Sequence, residues 1–270
     1  GYLKLRSKFK INKIFFLKSI FGTINKKHKG VKNFSQKINK YPFSLGGNVF
    51  VFLDKIKKFI ENSNFELLKK IKKIKKKDVA FSTRNIPHIG HNLIQETIIK
   101  SKKKLTVFLI LNMKNKYPKN LLMKTYQSLR KNKKFKNIKI VFIYLPTFFG
   151  GPKEAFFQAK IFENLKYKFF YVGRDHAGYK SFYKKFDSQK IFKKLKSKIK
   201  IIKLNEPMLC ESCNVSVINK YINKKCCPLC EGKKLLELNG SDIKILIKQK
   251  KSDQLIKYLD QSVYNVLKKN

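Results

Sequence analysis

The sequence predicts an α/β protein. Its main part is a Rossmann-like parallel sheet with helices, preceded by a small, partly β region and carrying a cysteine-rich insertion. Three observations carry this. From residue 78 onward, short apolar runs alternate with helix-like stretches at the spacing of βαβ units. Residues 1–77 show no clear period and contain the turn-rich string Ser44-Leu45-Gly46-Gly47-Asn48. All five cysteines lie between Cys210 and Cys230.

The apolar runs are 79–82, 105–111, 138–145, 169–172 and 199–204. Runs that stay apolar throughout fit strands covered on both faces, as parallel strands are. Between them, 91–102, 121–130, 153–165 and 188–195 read as helices. Residues 241–269 read as two short terminal helices, with Ser241 and Ser252 at N-cap positions. The expected domains are 1–77, then 78–240 with the insertion at 207–231, then a helical segment at 241–270. Open parallel sheets bind ligands beyond the C-terminal ends of their strands, so the chemistry is sought there.

The chain has 270 residues, and 43% are hydrophobic, enough for a packed core and too many for a wholly disordered chain. No apolar run approaches the roughly 18–20 residues that span a bilayer. The first twenty residues are basic, and Lys18 interrupts their apolar patch at 14–17, so they read poorly as a signal peptide. A reducing, cytoplasmic setting is therefore expected. The start at Gly1 fits a processed or incomplete N-terminus.

Lys and Arg number 64 against 16 Asp and Glu, a formal net charge of +48. Such a field attracts polyanions. The lysines, however, are spread along the whole chain among abundant Ile, Asn and Phe, which favours a drifted, solvated surface over a dedicated nucleic-acid site. Arginine occurs only at Arg6, Arg84, Arg130 and Arg174. Where nearly every basic position is lysine, a retained arginine marks a place that needs its planar fork, which grips an oxyanion in two-point fashion.

Two of the four histidines and one of those arginines share the string FSTRNIPHIGH at 81–91. A strand ends near Phe81, a polar turn follows, and a helix starts near His88. His88 and His91, three apart, share one face of its first turn. Free N–H groups and the positive dipole end make that place a ready phosphate site, where two imidazoles would stabilise charge on a leaving pyrophosphate. Gly90 allows a ligand to come close to the backbone. The plain alternative is a pair of ordinary buried histidines.

Cys210, Cys213, Cys227 and Cys230 form two C-x2-C knuckles, the spacing of a tetrahedral structural Zn2+ site. Cys226 is adjacent to Cys227 and could take its place. A metal would fold a loop too polar to pack unaided.

The literal His88-Ile89-Gly90-His91 also resembles the signature of class I aminoacyl-tRNA synthetases. Thr83-Arg84-Asn85 ahead of it instead resembles the T-R-N-x-x-H-x-x-H motif of the ATP sulfurylase (sulfate adenylyltransferase) family, within the HxxH nucleotidyltransferases. Further strings follow in order. Gly150-Gly151-Pro152-Lys153-Glu154-Ala155 resembles A-G-P-R-E-A, and Gly173-Arg174-Asp175-His176-Ala177-Gly178 is identical to G-R-D-H-A-G. Phe186-Asp187-Ser188-Gln189 resembles Y-D-A-Q, and Asn239-Gly240-Ser241-Asp242-Ile243-Lys244 resembles S-G-T-x-x-R. Upstream, Phe21-Gly22-Thr23 with His28-Lys29-Gly30-Val31 resembles G-T-x-D-x-x-H-P-G-V, and Leu45-Gly46-Gly47 resembles L-G-G. The resemblance covers roughly residues 20–270 and implies a PUA-like N-terminal domain, here expected to be incomplete.

It further implies transfer of AMP from ATP to sulfate, giving adenosine 5′-phosphosulfate and pyrophosphate, with Mg2+ accompanying ATP. Arg84, Arg174 and the Ala177 N–H would hold sulfate. Thr83, Asn85, His88, Gly90 and His91, with Gly173, Asp175, His176 and Gly178, would line the nucleotide. Relatives are commonly homo-oligomers; no membrane or specific nucleic-acid partner is implied. The chain departs from the family at Ser82, where a glutamine is usual, and at Lys153 and Lys244, where arginines are. The family's glycine-and-lysine loop survives only as Lys114-Asn115-Lys116-Tyr117-Pro118-Lys119. The competing readings are a class I synthetase-like adenylating enzyme, which leaves G-R-D-H-A-G unexplained, and a decayed catalytic domain kept as a basic binding module.

Overall fold

The computed structural model describes residues 1–52, 71, 73–74, 77–111, 117–218, 227–231, 234–238, 240–249 and 252–269. Two units can be told apart, the first formed by residues 1–74, 146–161 and 175–197, the second by 75–145, 162–174 and 198–270.

The first unit begins with β1 (Tyr2–Lys10), α1 (Lys13–Phe21), α2 (Lys29–Lys40) and β2 (Phe43–Phe50). β1 and β2 pair antiparallel, with a register shift between Leu5 and Ser7. The string at 44–48, expected as a turn, lies inside β2. Its glycines serve cross-strand closeness instead: a Cβ at Gly47 would strike the Lys4 carbonyl. The two helices are a second departure from the expected irregular region. α2 places Val31, Ser35 and Ile38 on one buried face, a helical period hidden by the surrounding Lys and Asn. α1 is capped by Asn12, whose side chain accepts the Phe15 N–H at 3.0 Å. Leu17, Phe21 and Val31 form a small core with Phe34 and Phe148.

The second unit holds the expected sheet. β3 (Val79–Thr83), β4 (Leu105–Leu111), β5 (Lys139–Tyr144), β6 (Phe169–Tyr171) and β7 (Lys200–Ile202) are all parallel, in the order β5-β4-β3-β6-β7. β4 is buried at every residue, because both its faces are covered. On one face, Val79, Phe81, Val107 and Leu109 pack with Ile94 and Ile98 of α3 (Ile89–Lys100) and with Leu122, Tyr126 and Leu129 of α4 (Lys119–Leu129). On the other, Phe108 meets Phe162 at 4.7 Å between ring centroids, and Tyr167 donates to Thr106 Oγ1 at 3.1 Å. Each such large apolar side chain contributes about 1.5–3 kcal/mol on burial.

Further along lie α5 (Pro152–Asn164) and α6 (Asp187–Lys194), then β8 (Pro207–Cys210), β9 (Ser216–Ile218) and β10 (Leu235–Glu237), which form a three-stranded sheet in the order β10-β8-β9. The C-terminal segment is α7 (Gly240–Lys248), α8 (Ser252–Leu255) with a 3-10 turn behind it, and α9 (Gln261–Lys268), so it has more pieces than the two helices expected. Ser241 lies within α7, and the cap of α9 is Asp260, which accepts the Ser262 N–H at 3.0 Å. Among the described residues, no helix is long and apolar enough to cross a membrane.

From β3 the chain builds outward through β4 to β5, then returns to the other side of β3 for β6. This reversal is a topological switch point, where open parallel sheets leave a crevice at their C-terminal edge. Val79 pairs with Phe169 and Ala80 with Phe170. The turns after β3 and β6 therefore leave one edge side by side, and these turns begin the T-R-N and G-R strings.

Candidate active site

The 83–91 turn is built by local bonds. Thr83 Oγ1 accepts the Asn85 N–H at 3.0 Å, and the buried Tyr126 hydroxyl donates to the Asn85 carbonyl at 3.5 Å. Burial pushes the Tyr126 phenol far above its usual range, against weaker pulls from Gln95 and Thr83, so it stays a donor. Asn85 lies against Gly240, where an added Cβ would come within 2.6 Å of Asn85 Nδ2. Arg84 is half-buried between these anchored neighbours.

His88 is the N-cap residue of α3, but its ring does not cap the helix. It stacks on His91, with ring centroids 3.9 Å apart and planes 30° apart. His91 in turn meets the edge of Phe81 at 5.4 Å, and Phe81 stacks on Tyr171 at 5.2 Å. A column of rings thus runs from β6 through β3 to the first turn of α3. It fixes both imidazoles beside that turn's amides, which have no carbonyl partner within the helix. The near neighbours of Gly90 are the His88 ring and Leu238, each 3.2 Å from where a Cβ would stand.

Arg174 follows β6. Its Nη1 donates to Glu206 and, at 2.9 Å, to Glu237 Oε2. These two carboxylates occupy both N–H bonds of one guanidinium nitrogen. Neither Glu206 nor Glu237 was read from the sequence, because Glu206 just before β8 and Glu237 at the end of β10 belong to no recognisable motif and meet Arg174 only through the fold.

The motif residues of 150–155, 175–178 and 186–189 lie in the first unit. Glu154, wholly buried, accepts the N–H of Phe148 at 3.0 Å and of Gly150 at 3.2 Å. Gly151 N–H donates to the Ala177 carbonyl at 3.0 Å. His176 Nε2 meets Gln158 Oε1 at 2.8 Å, and Ser188 Oγ donates to the His176 carbonyl at 2.9 Å. The Asp175 carboxylate covers Gly178 so closely that any Cβ there would collide with it. Glu154 and Ser188 bind motif backbone groups and Gln158 holds the His176 ring, jobs invisible to spacing alone. Gly173 lies beside Tyr171.

Cys210, Cys213, Cys227 and Cys230 gather with their sulfurs all within 4.8 Å of one another. Cys210 and Cys230 sulfurs are 3.6 Å apart, Cys213 and Cys227 sulfurs 3.8 Å. Four thiolates at about 2.3 Å from a tetrahedral zinc stand about 3.8 Å apart, so the set fits that ion; a disulfide needs about 2 Å. The Cys213 N–H draws the Cys210 thiol down to about 6 against the opposing effect of desolvation. The Cys213 thiol is pulled down by the Val215 N–H, but desolvation and the Cys210 and Cys227 thiols outweigh this and push it up. Cys227 joins the cluster; Cys226 lies outside the described residues, as do Lys114, Asn115, Lys116 and Asn239.

Fold and site define a doubly wound α/β protein with arginine- and histidine-bearing turns at its switch point. The sequence pattern of the ATP-sulfurylase family matches residues 61–269, and the chain belongs to that family. It is 28% identical to the sulfate adenylyltransferase of Carboxydothermus hydrogenoformans over 93% of this chain and 66% of that one. With the sulfate adenylyltransferase of Ignicoccus hospitalis it shares 26% identity over 90% of this chain and 63% of that one. The chain thus spans about two thirds of the length of these relatives. Its fold is similar to that of the hexameric APS kinase from Thiobacillus denitrificans, with a TM-score of 0.50 and 12% identity, over 84% of this chain and 42% of that one.

Proposed function

We propose that the chain is a sulfate adenylyltransferase, in which a sulfate oxygen attacks the α-phosphorus of ATP, the bond to the β-phosphate bridge breaks, and pyrophosphate leaves. The observation that carries this is the adjacency of β3 and β6, which brings the T-R-N-x-x-H-x-x-H turn and the Gly173-Arg174 turn to one sheet edge. Sulfate is already an anion, so no general base is needed. The work is to bring two anions together in line and to balance their charge. Arg84 and Arg174 neutralise sulfate. Asn85, with His88 and His91 at the start of α3, faces the phosphates and stabilises the departing pyrophosphate. Thr83 and Gly90 shape the turn around the nucleotide. Gly173, Asp175, His176, Ala177 and Gly178 enter this reading through the motif match alone, Ala177 as an N–H donor to sulfate and the others on the nucleotide side. ATP is handled as its Mg2+ complex.

The four cysteines hold a structural zinc, which fastens β8 and β10. The same family membership supports reading residues 1–77 as part of a PUA-like domain, and the protein as a cytoplasmic homo-oligomer. The test is pyrophosphate release from ATP in three parallel reactions: with sulfate, with amino acids plus tRNA, and with neither. Release that requires sulfate is expected. Release that requires tRNA and amino acid, or none in any reaction, overturns the reading.

A further inference from the structure

We propose that His28 and Tyr183 are positioning residues for the 148–151 loop, acting by a two-step hydrogen-bond relay that ends on the Phe149 carbonyl. The proposal rests on the functional reading in one respect: the loop runs into Gly150-Gly151-Pro152-Lys153-Glu154-Ala155, which resembles A-G-P-R-E-A, and through that resemblance alone it is taken to serve the nucleotide.

His28 is wholly buried and caps α2, its Nδ1 accepting the Val31 N–H at 3.2 Å. A ring nitrogen that accepts carries no proton, so the single proton of the neutral imidazole sits on Nε2. Nε2 faces the Tyr183 hydroxyl at 3.2 Å, and that hydroxyl donates to the Phe149 carbonyl at 3.0 Å. The Phe149 backbone also hydrogen-bonds the imidazole, so both side chains converge on that one residue. The rings of Phe182, Phe21 and Tyr179 stand 4.8, 5.1 and 5.3 Å from the imidazole and leave it one orientation.

The receiving loop needs such a support. Phe149 has φ 63, a left-handed conformation that is strained for a non-glycine residue. Gly151, at φ 49, is also left-handed, and a Cβ there would come within 2.7 Å of the Tyr183 ring. Glu154 holds the N–H groups of Phe148 and Gly150, and Ala177 holds that of Gly151. Tyr183 adds the carbonyl of Phe149, so the strained turn is gripped from both sides of its backbone. Backbone strain of this kind persists only where the surroundings over-determine it. A tyrosine that merely filled space would not need its hydroxyl, because phenylalanine has the same ring.

The test uses the full chain. Tyr183→Phe keeps the ring and deletes the second link. His28→Asn keeps a capping oxygen for α2 and deletes the first. Hydrogen exchange at the Phe148, Gly150 and Gly151 amides should quicken about tenfold in each variant. The double variant should quicken exchange by less than the product of the single effects, because both side chains serve one carbonyl. In turnover, KM for ATP should rise about tenfold with KM for sulfate unchanged. Unaltered exchange in Tyr183→Phe overturns the relay, and equal changes in both KM values overturn its positioning role. Should His28→Asn fail to fold, Tyr183→Phe alone decides. A wild-type chain that releases no pyrophosphate with sulfate overturns the functional reading instead, and the exchange data still judge the relay.

Discussion

Arg174 and Glu237 are joined by a charge-assisted hydrogen bond of 2.9 Å. Glu237 ends β10, and Leu235, two residues earlier, pairs with Cys210 of the cysteine cluster. One short strand therefore connects the metal-type site to an arginine of the candidate anion site. Glu206, on the same guanidinium nitrogen, directly precedes β8. Both ends of the cluster's framework thus reach Arg174.

Glu237 places a negative charge beside an arginine of the candidate anion site, and this opposes an incoming dianion. Glu237→Gln keeps an acceptor and removes a charge. It should lower KM for sulfate about threefold, while stability moves by less than about 1 kcal/mol, as expected for a partly exposed pair. Initial rates against sulfate and a thermal melt check both. A raised KM would show that the charge orients Arg174 more than it repels the substrate.

Arg84→Lys keeps the charge and loses the fork. Sulfate-dependent pyrophosphate release should fall at least about 100-fold, the scale on which lost oxyanion donors act. The melting curve should not move, since Arg84 sits on a turn held by its neighbours' bonds. Normal turnover in this variant would remove Arg84 from the site.

Metal analysis should find close to one zinc per chain. Cys210→Ser, which replaces a wholly buried member of the cluster, should lose that zinc and lower the melting temperature. Through β10, KM for sulfate should change as well. Full zinc retention in this variant would put the ligand set elsewhere.

Burial holds the His28 imidazole below its ordinary value near 6.5, and backbone hydrogen bonds offset this only in part. Around it stand the titratable Tyr179 and Tyr183. Burial, with the charge of Glu154, pushes the Tyr183 phenol far up, so it stays neutral. The folded chain thus binds this His28 proton less readily than the unfolded chain does. The stability contributed by the neutral ring is complete above about pH 6.5 and falls as pH drops toward the lower folded value. Denaturant midpoints measured from pH 7.5 to 5 should show this decline, and His28→Asn should flatten it. Equal slopes in both chains would refute the assignment.

Much of the sheet was legible because its strands are buried on both faces. Val79, Phe81, Val107 and Leu109 sit in runs that polar residues hardly interrupt. α2 escaped notice because its apolar period rests on few residues, Val31 and Ile38 chief among them, set in a background of Lys and Asn. The glycines at 46 and 47 pointed to a turn, whereas they serve the close approach of β1. At the site, arginine scarcity and histidine spacing singled out Arg84, His88, His91 and Arg174. Tyr126, Glu206 and Glu237 were not legible, since each reaches its partner across more than 30 residues of sequence with no local pattern to mark it. Glu154 and His28 were visible as motif letters, but their bonding was not.

β3 is the first strand of the sheet to be synthesised and the middle one in space. Once β4 and β5 have emerged from the ribosome, one border of β3 still waits for β6, which comes after α5. During that interval a nascent polypeptide offers the unpaired backbone of Val79 and Ala80 to any passing strand. Translation speed through the α5 codons thus sets how long that exposure lasts, and with it the demand this chain places on cellular chaperones.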